Sequence, residues 1–286
     1  MIKAAPSPGD EPASPDLTTT EVAVDGGVLS VALAGAGELG RTPLILLHGW
    51  TLDHRMWQPQ VAGLAEDFFL VMPDRRGCGR STAPPDLARE AADVIAIADV
   101  LGFDRFALAG LSQGAVVALD VARRHPSRLT GLIVSGAPLP SLVEREEVIE
   151  LDTYRAWAAA GDLAAMKREW ALHPLMQAHS PEAYALLAAM LADYDGRDLI
   201  GPSDPPELPR TDLRELTVPV LALTGEHDTP WRRACAAALA DVAPRAMQAL
   251  VPGAGHLANA DNPARFNALV AAFLRNLTAP HTRPKL

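Results

Sequence analysis

The stretch FALAGLSQGAVVALDVARRHP (106–126) decides how the rest of the chain is read. Its first part, FALAG, is a short uninterrupted apolar run of the kind that fills a strand buried on both faces. Its second part, AVVALDVARRH, reads as a buried helix whose basic residues, Arg123, Arg124 and His125, suit the negative end of the helix dipole. Between the two lies Gly110-Leu111-Ser112-Gln113-Gly114, a G-x-S-x-G. A strand that turns sharply into a helix forces its central residue into a strained conformation, and glycines on either side relieve the crowding. Ser112 then projects above the sheet, with the amide of Gln113 facing the same space as a first donor for an oxyanion.

Outward from this turn, similar apolar runs recur: LILL (44–47), FFLVM (68–72), LIVSG (132–136), VLALTG (220–225) and AMQALV (246–251). They alternate with helix-compatible segments, which predicts a mainly parallel sheet covered by helices on both faces. EVAVDGGVLSVALAG places two antiparallel strands at about 21–25 and 28–34 around a Gly-Gly turn. The alternation stops between Pro138 and about Leu213, where SLVEREEVIELDTYRAWAAA and SPEAYALLAAMLADY read as helical throughout. In the second, Tyr184, Leu187 and Leu191 share one helical face, with Ser180 as cap and Pro181 as first helical residue. The expected organisation is therefore a disordered arm over 1–20, a core over 21–138 and 214–280, and a helical cap over 139–213. The arm is rich in Pro, Ser and acidic residues and has too few large apolar side chains to order itself.

A serine hydroxyl is a weak nucleophile near neutral pH and needs an imidazole to take its proton, oriented in turn by a carboxylate. VPGAGHLANADNP (251–263) places His256 in a Gly-rich loop after the last apolar run, and VLALTGEHDTP (220–230) places Asp228 just beyond the one before it. Both follow the carboxyl ends of strands, where sites of open α/β sheets lie. Glu226 and His227 are neighbours of the same types, but Glu226 sits closer to the strand end and His227 lacks flanking glycines. APLP after Gly136 offers no carboxylate as an alternative acid. LILLHGWTLDH carries a loop after a buried strand that can aim the Trp50 amide at the site as a second oxyanion donor, with His48 a packed, hydrogen-bonded residue.

LLHGW (46–50), PDRRGCGRS (73–81), AGLSQGA (109–115), TGEHD (224–228) and PGAGH (252–256) together resemble the α/β-hydrolase superfamily, in its branch of small bacterial esterases, enol-lactonases and carbon–carbon bond hydrolases. The resemblance spans nearly the whole chain except the insertion. It implies a mainly parallel eight-stranded sheet flanked by helices, a helical cap after the sixth strand, and a triad of Ser112, Asp228 and His256 with Trp50 and Gln113 as the oxyanion hole. It also implies that Asp74 and Arg76 organise loops beside the site. Serine at the elbow separates the chain from the haloalkane dehalogenases and epoxide hydrolases, which carry Asp there. Ala115 stands where many relatives have a further glycine, and alanine suits a helix start.

The expected function is serine hydrolysis of a carboxylic ester or lactone through an acyl-enzyme, with no metal or organic cofactor. Enol-lactone or carbon–carbon bond cleavage, perhydrolysis with peroxide as acceptor, and ligand reception without turnover are the alternatives. In the cap, Trp157, Trp170 and Met176 are the candidate substrate-binding residues. Met166, Leu172, Leu175, Tyr184 and Met190 are further apolar candidates. Arg155, Lys167 and Arg168 are read as surface charges, and His173 and His179 lack metal-ligand spacing. Acidic residues outnumber basic ones 35 to 25, and no basic cluster with interleaved aromatics occurs, which disfavours nucleic acid and anionic membranes as partners. Cys78 and Cys235 fit neither a disulfide framework nor a zinc motif. With no signal-peptide or membrane-length apolar run, the expected setting is cytoplasmic and the expected partner a small ester or lactone.

Overall fold

The computed structural model describes residues 17–35, 41–201 and 204–278. Its strands are β1 (Thr18–Val24), β2 (Gly27–Ala34), β3 (Thr42–Leu47), β4 (Phe68–Pro73), β5 (Phe106–Leu111), β6 (Leu129–Ser135), β7 (Val220–Gly225) and β8 (Ala246–Val251). They form one eight-stranded sheet in the order β1-β2-β4-β3-β5-β6-β7-β8. The β1–β2 and β2–β4 pairs are antiparallel and every other pair is parallel. The runs VLALTG and AMQALV coincide with β7 and β8.

The helices are α1 (Gln58–Leu64), α2 (Glu90–Val100), α3 (Gln113–Arg124), α4 (Leu151–Ala159), α5 (Leu163–Trp170), α6 (Pro181–Asp193), α7 (Arg210–Arg214), α8 (Pro230–Val242), α9 (Ala258–Asp261) and α10 (Pro263–Thr278). Successive residues of a strand point to opposite faces, so a continuous apolar run supplies two cores at once. Leu44 and Leu46 of β3 pack with Val61 of α1 and with Phe266 and Val270 of α10. Ile45 and Leu47 pack instead with Val94 of α2, Val117 of α3 and Leu239 of α8. Helices α4, α5 and α6, in the stretch expected to form a cap, lie between β6 and β7 in the chain, and their buried side chains, Tyr154, Met166, Trp170 and Leu187 among them, join the first of these cores.

Three expectations are revised. Residues 1–16 of the expected arm lie outside the described residues, whereas Thr18, Thr19 and Thr20 pair with Leu33, Ala32 and Val31. Backbone pairing with a neighbouring strand orders polar residues that bury little surface of their own. In the expected cap, the helix expected across SLVEREEVIELDTYRAWAAA begins only at Leu151, and the preceding strap is non-helical, tied to the rest of the molecule by Ser141, which donates to the Leu208 carbonyl, and by Glu147, which accepts from Arg232. In α6, Ser180 caps as expected by accepting from the Ala183 amide. The buried stripe, however, is Ala183, Leu187, Met190 and Leu191, and Tyr184 is 68% exposed.

β3 lies between β4 and β5, so the connections from its carboxyl end and that of β5 diverge. A crevice opens where they part. His48–Thr51 and Ser112 sit at its edges.

Candidate active site

Ser112 has φ +55° and ψ −116°, a left-handed conformation that costs a non-glycine residue about 1–2 kcal/mol. The elbow holds it there. Its amide donates to the Ser135 carbonyl of β6 at 2.8 Å. A Cβ on Gly114 would run into the carbonyl oxygens of His48 and Leu47, and one on Gly110 into the backbone of Gly114. Glycine at both positions therefore lets α3 start hard against β3 and β5.

The β7–α8 turn presents Asp228, 3% exposed, and the loop after β8 presents His256, 5% exposed. His256 Nδ1 lies 3.0 and 3.1 Å from the two Asp228 oxygens, and the Thr229 amide donates to Asp228 Oδ1 at 2.7 Å. Neither neighbour of Asp228 competes: Glu226 accepts from the Gly253 amide, and His227 stacks on His179 of the cap with centroids 4.8 Å apart. The other ring nitrogen, His256 Nε2, is buried with no hydrogen-bond partner among the described residues. Ser112 Oγ instead has the Arg232 guanidinium as neighbour, with Nη1 3.5 Å away. The serine, histidine and aspartate named from sequence thus come together, with the aspartate–histidine bond formed and the serine–histidine bond unmade.

Gly136, at φ +56°, forms the floor beside them: a Cβ there would lie 2.7 Å from His256 Cε1, 2.9 Å from Nδ1 and 3.2 Å from Asp228 Oδ2. Only glycine both adopts this φ cheaply and leaves room for the imidazole.

Arg75 organises the opposite wall. Its amide donates to His48 Nε2 at 2.9 Å, Nη1 to the His48 carbonyl at 3.0 Å, and Nη2 to the Gln113 side-chain oxygen at 3.0 Å. A buried ion pair with Glu90 (2.6 Å) fixes the guanidinium. His48 is fully buried with Nδ1 2.8 Å from the Gly49 carbonyl; burial, and then the Arg75 charge, lower its pKa to about 4. It is the packed, hydrogen-bonded loop residue read from sequence, and its lowered pKa keeps it neutral. Asp74 accepts from the amides of His54 and Arg80, and Arg76 pairs with Asp93, also as expected.

The Trp50 indole N–H donates to Asp198 Oδ2, and the Tyr194 hydroxyl to Asp198 Oδ1, both at 2.6 Å. Burial raises the Asp198 carboxyl, opposed by these two donors. Trp50 also packs against Trp170 at 4.8 Å and Tyr154 at 6.2 Å, so the loop expected to carry an oxyanion donor is pinned by the cap.

Ser112, His256, Trp50 and Gln113 all line one cavity of about 590 Å³, which residues of the 139–213 stretch also line. Trp170, Leu175 and Met176 line it from the cap, and Arg155 reaches its wall. Trp157 is not part of the lining; it packs on Tyr154 at 6.0 Å, because α4 turns that face toward its own aromatic neighbours. Leu172 and Tyr184 are exposed, and Met166 and Met190 are spent within the cap core. Lys167 donates to the Ala192 carbonyl. Sequence reasoning missed Arg75, Glu147, Asp198 and Arg232, whose partners lie far away in the chain.

One cluster, Asp53, His54 and Asp74, brings its ligand-type atoms within 4.8 Å of one another. Among the described residues Asp53 is paired with Arg55, and Asp74 accepts from the His54 amide and the Arg80 amide and lies 2.7 Å from His54 Nδ1, so the cluster's oxygens already have protein partners. Among the described residues no helix is long and apolar enough to cross a membrane.

Comparison with known proteins agrees with this architecture. The chain is 26% identical over 250 residues to a putative carbamate hydrolase, RutD, of Escherichia coli, covering 82% of this chain and 91% of that one. A thermophilic esterase from Thermogutta terrifontis superposes with a TM-score of 0.73 at 25% identity, covering 92% of this chain and all of that one. The enol-lactonase from Burkholderia xenovorans LB400 shares the fold with a TM-score of 0.73 at 22% identity, over 90% of this chain and all of that one. The model of the alpha/beta hydrolase family matches residues 44–269, and the chain belongs to that family.

Proposed function

We propose that the protein is a serine hydrolase of carboxylic esters or lactones, acting through a Ser112–His256–Asp228 triad and an acyl-enzyme. The observation that carries this reading is the convergence of three features on one cavity: a serine held at φ +55° on a strand-to-helix elbow, a buried imidazole whose Nδ1 faces both oxygens of a buried carboxylate, and an Nε2 with no hydrogen-bond partner among the described residues. Ser112 Oγ, with Arg232 Nη1 still beside it, gives up its proton to His256 Nε2 and attacks the carbonyl. Asp228 holds the ring and stabilises the imidazolium. The Trp50 and Gln113 amides receive the developing oxyanion, an interaction worth about 3 kcal/mol per donor. The imidazolium returns the proton to the leaving oxygen, and water, deprotonated by His256, releases the acid.

The wall is largely apolar, with Leu139, Leu175, Met176 and Leu257 among its lining residues, which suits a hydrocarbon acyl or alkyl group. The test is p-nitrophenol release from acetate through octanoate esters, with γ- and δ-lactones and a phenyl carbamate in parallel, by wild type and Ser112→Ala. Turnover on esters or lactones that vanishes in the variant supports the reading; equal turnover in both sinks it. Saturable binding with no turnover would favour a ligand receptor.

A further inference from the structure

Arg232 belongs to the first turn of α8, four residues after Asp228, yet it points inward and is 2% exposed. Its guanidinium is divided between two tasks. Nη1 donates to the Gly136 carbonyl at 2.7 Å and lies 3.5 Å from Ser112 Oγ. Nε, at 3.1 and 3.2 Å, and Nη2, at 2.6 Å, donate to the carboxylate of Glu147. Glu147 arrives on the non-helical strap that precedes α4 and also accepts from Thr229 Oγ1 at 3.1 Å, next to Asp228. Burial alone would raise its carboxyl, but the hydrogen bonds and charge of Arg232 outweigh that and hold it below the usual range, so it is an anion at neutral pH. Arg145 secures the strap by donating to the Glu147 carbonyl at 2.9 Å and lying over the Trp231 ring.

A buried cation beside an imidazole that must become an imidazolium opposes the reaction unless it is neutralised. We infer that Arg232 and Glu147 form a charge-balanced positioning pair: Arg232 holds Ser112 Oγ and the Gly136 carbonyl under His256, and Glu147, carried in by the cap, cancels its charge so that His256 can take up a proton. The inference rests on the triad reading. The charged or titratable groups that face this part of the site are Asp228 from the β7–α8 turn, Arg232 and the Cys235 thiol from α8, Glu147 from the strap, and, beside the neighbouring Gly255, Asp261 of α9 and His179.

The test is the pH profile of kcat/KM on p-nitrophenyl butyrate for Glu147→Gln, Arg232→Gln and the double variant Arg232→Met/Glu147→Gln. With Glu147 neutral, the uncompensated guanidinium moves the acid limb about one pH unit lower and cuts kcat by about tenfold or more. With Arg232 neutral, the lone carboxylate moves the limb upward. The double variant, in which a buried pair is replaced by neutral groups of similar size, is the one expected to fold most readily. It returns the limb to within about 0.3 pH units of wild type while keeping a roughly tenfold kcat loss at little changed KM, because Ser112 and Gly136 have lost their donor. Limbs that stay put, or move the same way in both single variants, overturn the charge-balancing role; a double variant with wild-type kcat overturns the positioning role, and does so even if neither single variant folds. Ser112→Ala separates the failures: if it stays active the triad reading falls, and if it is inactive while the limbs stay put only the pair does.

Discussion

Gly136→Ala is the substitution from which the geometry of the site can be read most sharply. A Cβ at this position meets His256 Cε1 at 2.7 Å and Nδ1 at 2.9 Å, against an ordinary contact distance of about 3.5 Å, so the ring has to retreat by roughly 0.8 Å. Asp228, 3.2 Å away, blocks retreat toward the carboxylate and directs the ring along the cavity wall. Misplacing a catalytic group by about 1 Å costs about a hundredfold, so kcat should fall roughly 30- to 100-fold with KM within about threefold of wild type. The left-handed φ adds about 1–2 kcal/mol of strain, which for a chain of this size lowers Tm by about 2–4 °C. Gly253→Ala is the control: it shares the positive φ, +67°, and the His256 loop, but its Cβ meets nothing within 4 Å. It should lose stability with kcat within about twofold. The assay is p-nitrophenyl butyrate hydrolysis with a thermal melt for each variant. A folded Gly136→Ala protein with kcat within threefold of wild type would refute the placement of His256 as the base.

Other outcomes follow from the same contacts. Asp198→Ala strands the Trp50 indole N–H and the Tyr194 hydroxyl, and denaturant unfolding should show a loss of about 2–4 kcal/mol, with Asp198→Asn losing less. His48, with its pKa lowered to about 4 from the usual 6.5, takes up its proton far more readily in the unfolded chain. Its contribution to stability is complete above about pH 6.5 and is lost on acidification toward pH 4, by up to about 3 kcal/mol. His48→Gln should flatten the stability profile in that window, and an unchanged slope would argue against a buried neutral histidine. Met176→Ala should shift the preferred acyl chain to greater length, whereas Trp157→Ala should leave the chain-length profile within about twofold of wild type, since Met176 lines the cavity and Trp157 does not.

The parts of this molecule that could be read from sequence are those whose signals are local. Strands buried on both faces, such as FALAGL and VLALTG, have no polar side to break the run, and each appears where expected. The elbow carries its own glycines, and Ser180-Pro181 its own cap. The cap interior was less legible. Helical spacing says which residues share a face and not whether that face meets a cavity or another helix, which is why Trp170 and Trp157 looked equivalent and why Tyr184 was placed on the wrong side of α6. The strap was misread because its polar residues score as good helix formers, while what fixes them is a buried ion pair between Glu147 and Arg232 across 85 residues of chain. Asp198 and Trp50 are similar, 148 residues apart. Ion pairs and hydrogen bonds of such separation leave no periodicity behind.

The central claim is that Ser112 is the nucleophile and His256 its base, and covalent trapping tests it most directly. Wild-type protein incubated with a fluorophosphonate should gain one adduct, assigned by peptide mass spectrometry to Ser112. The adduct should be absent in Ser112→Ala and form at least about a hundredfold more slowly in His256→Ala. Labelling of another residue, or of Ser112 at the same rate without His256, would contradict the account.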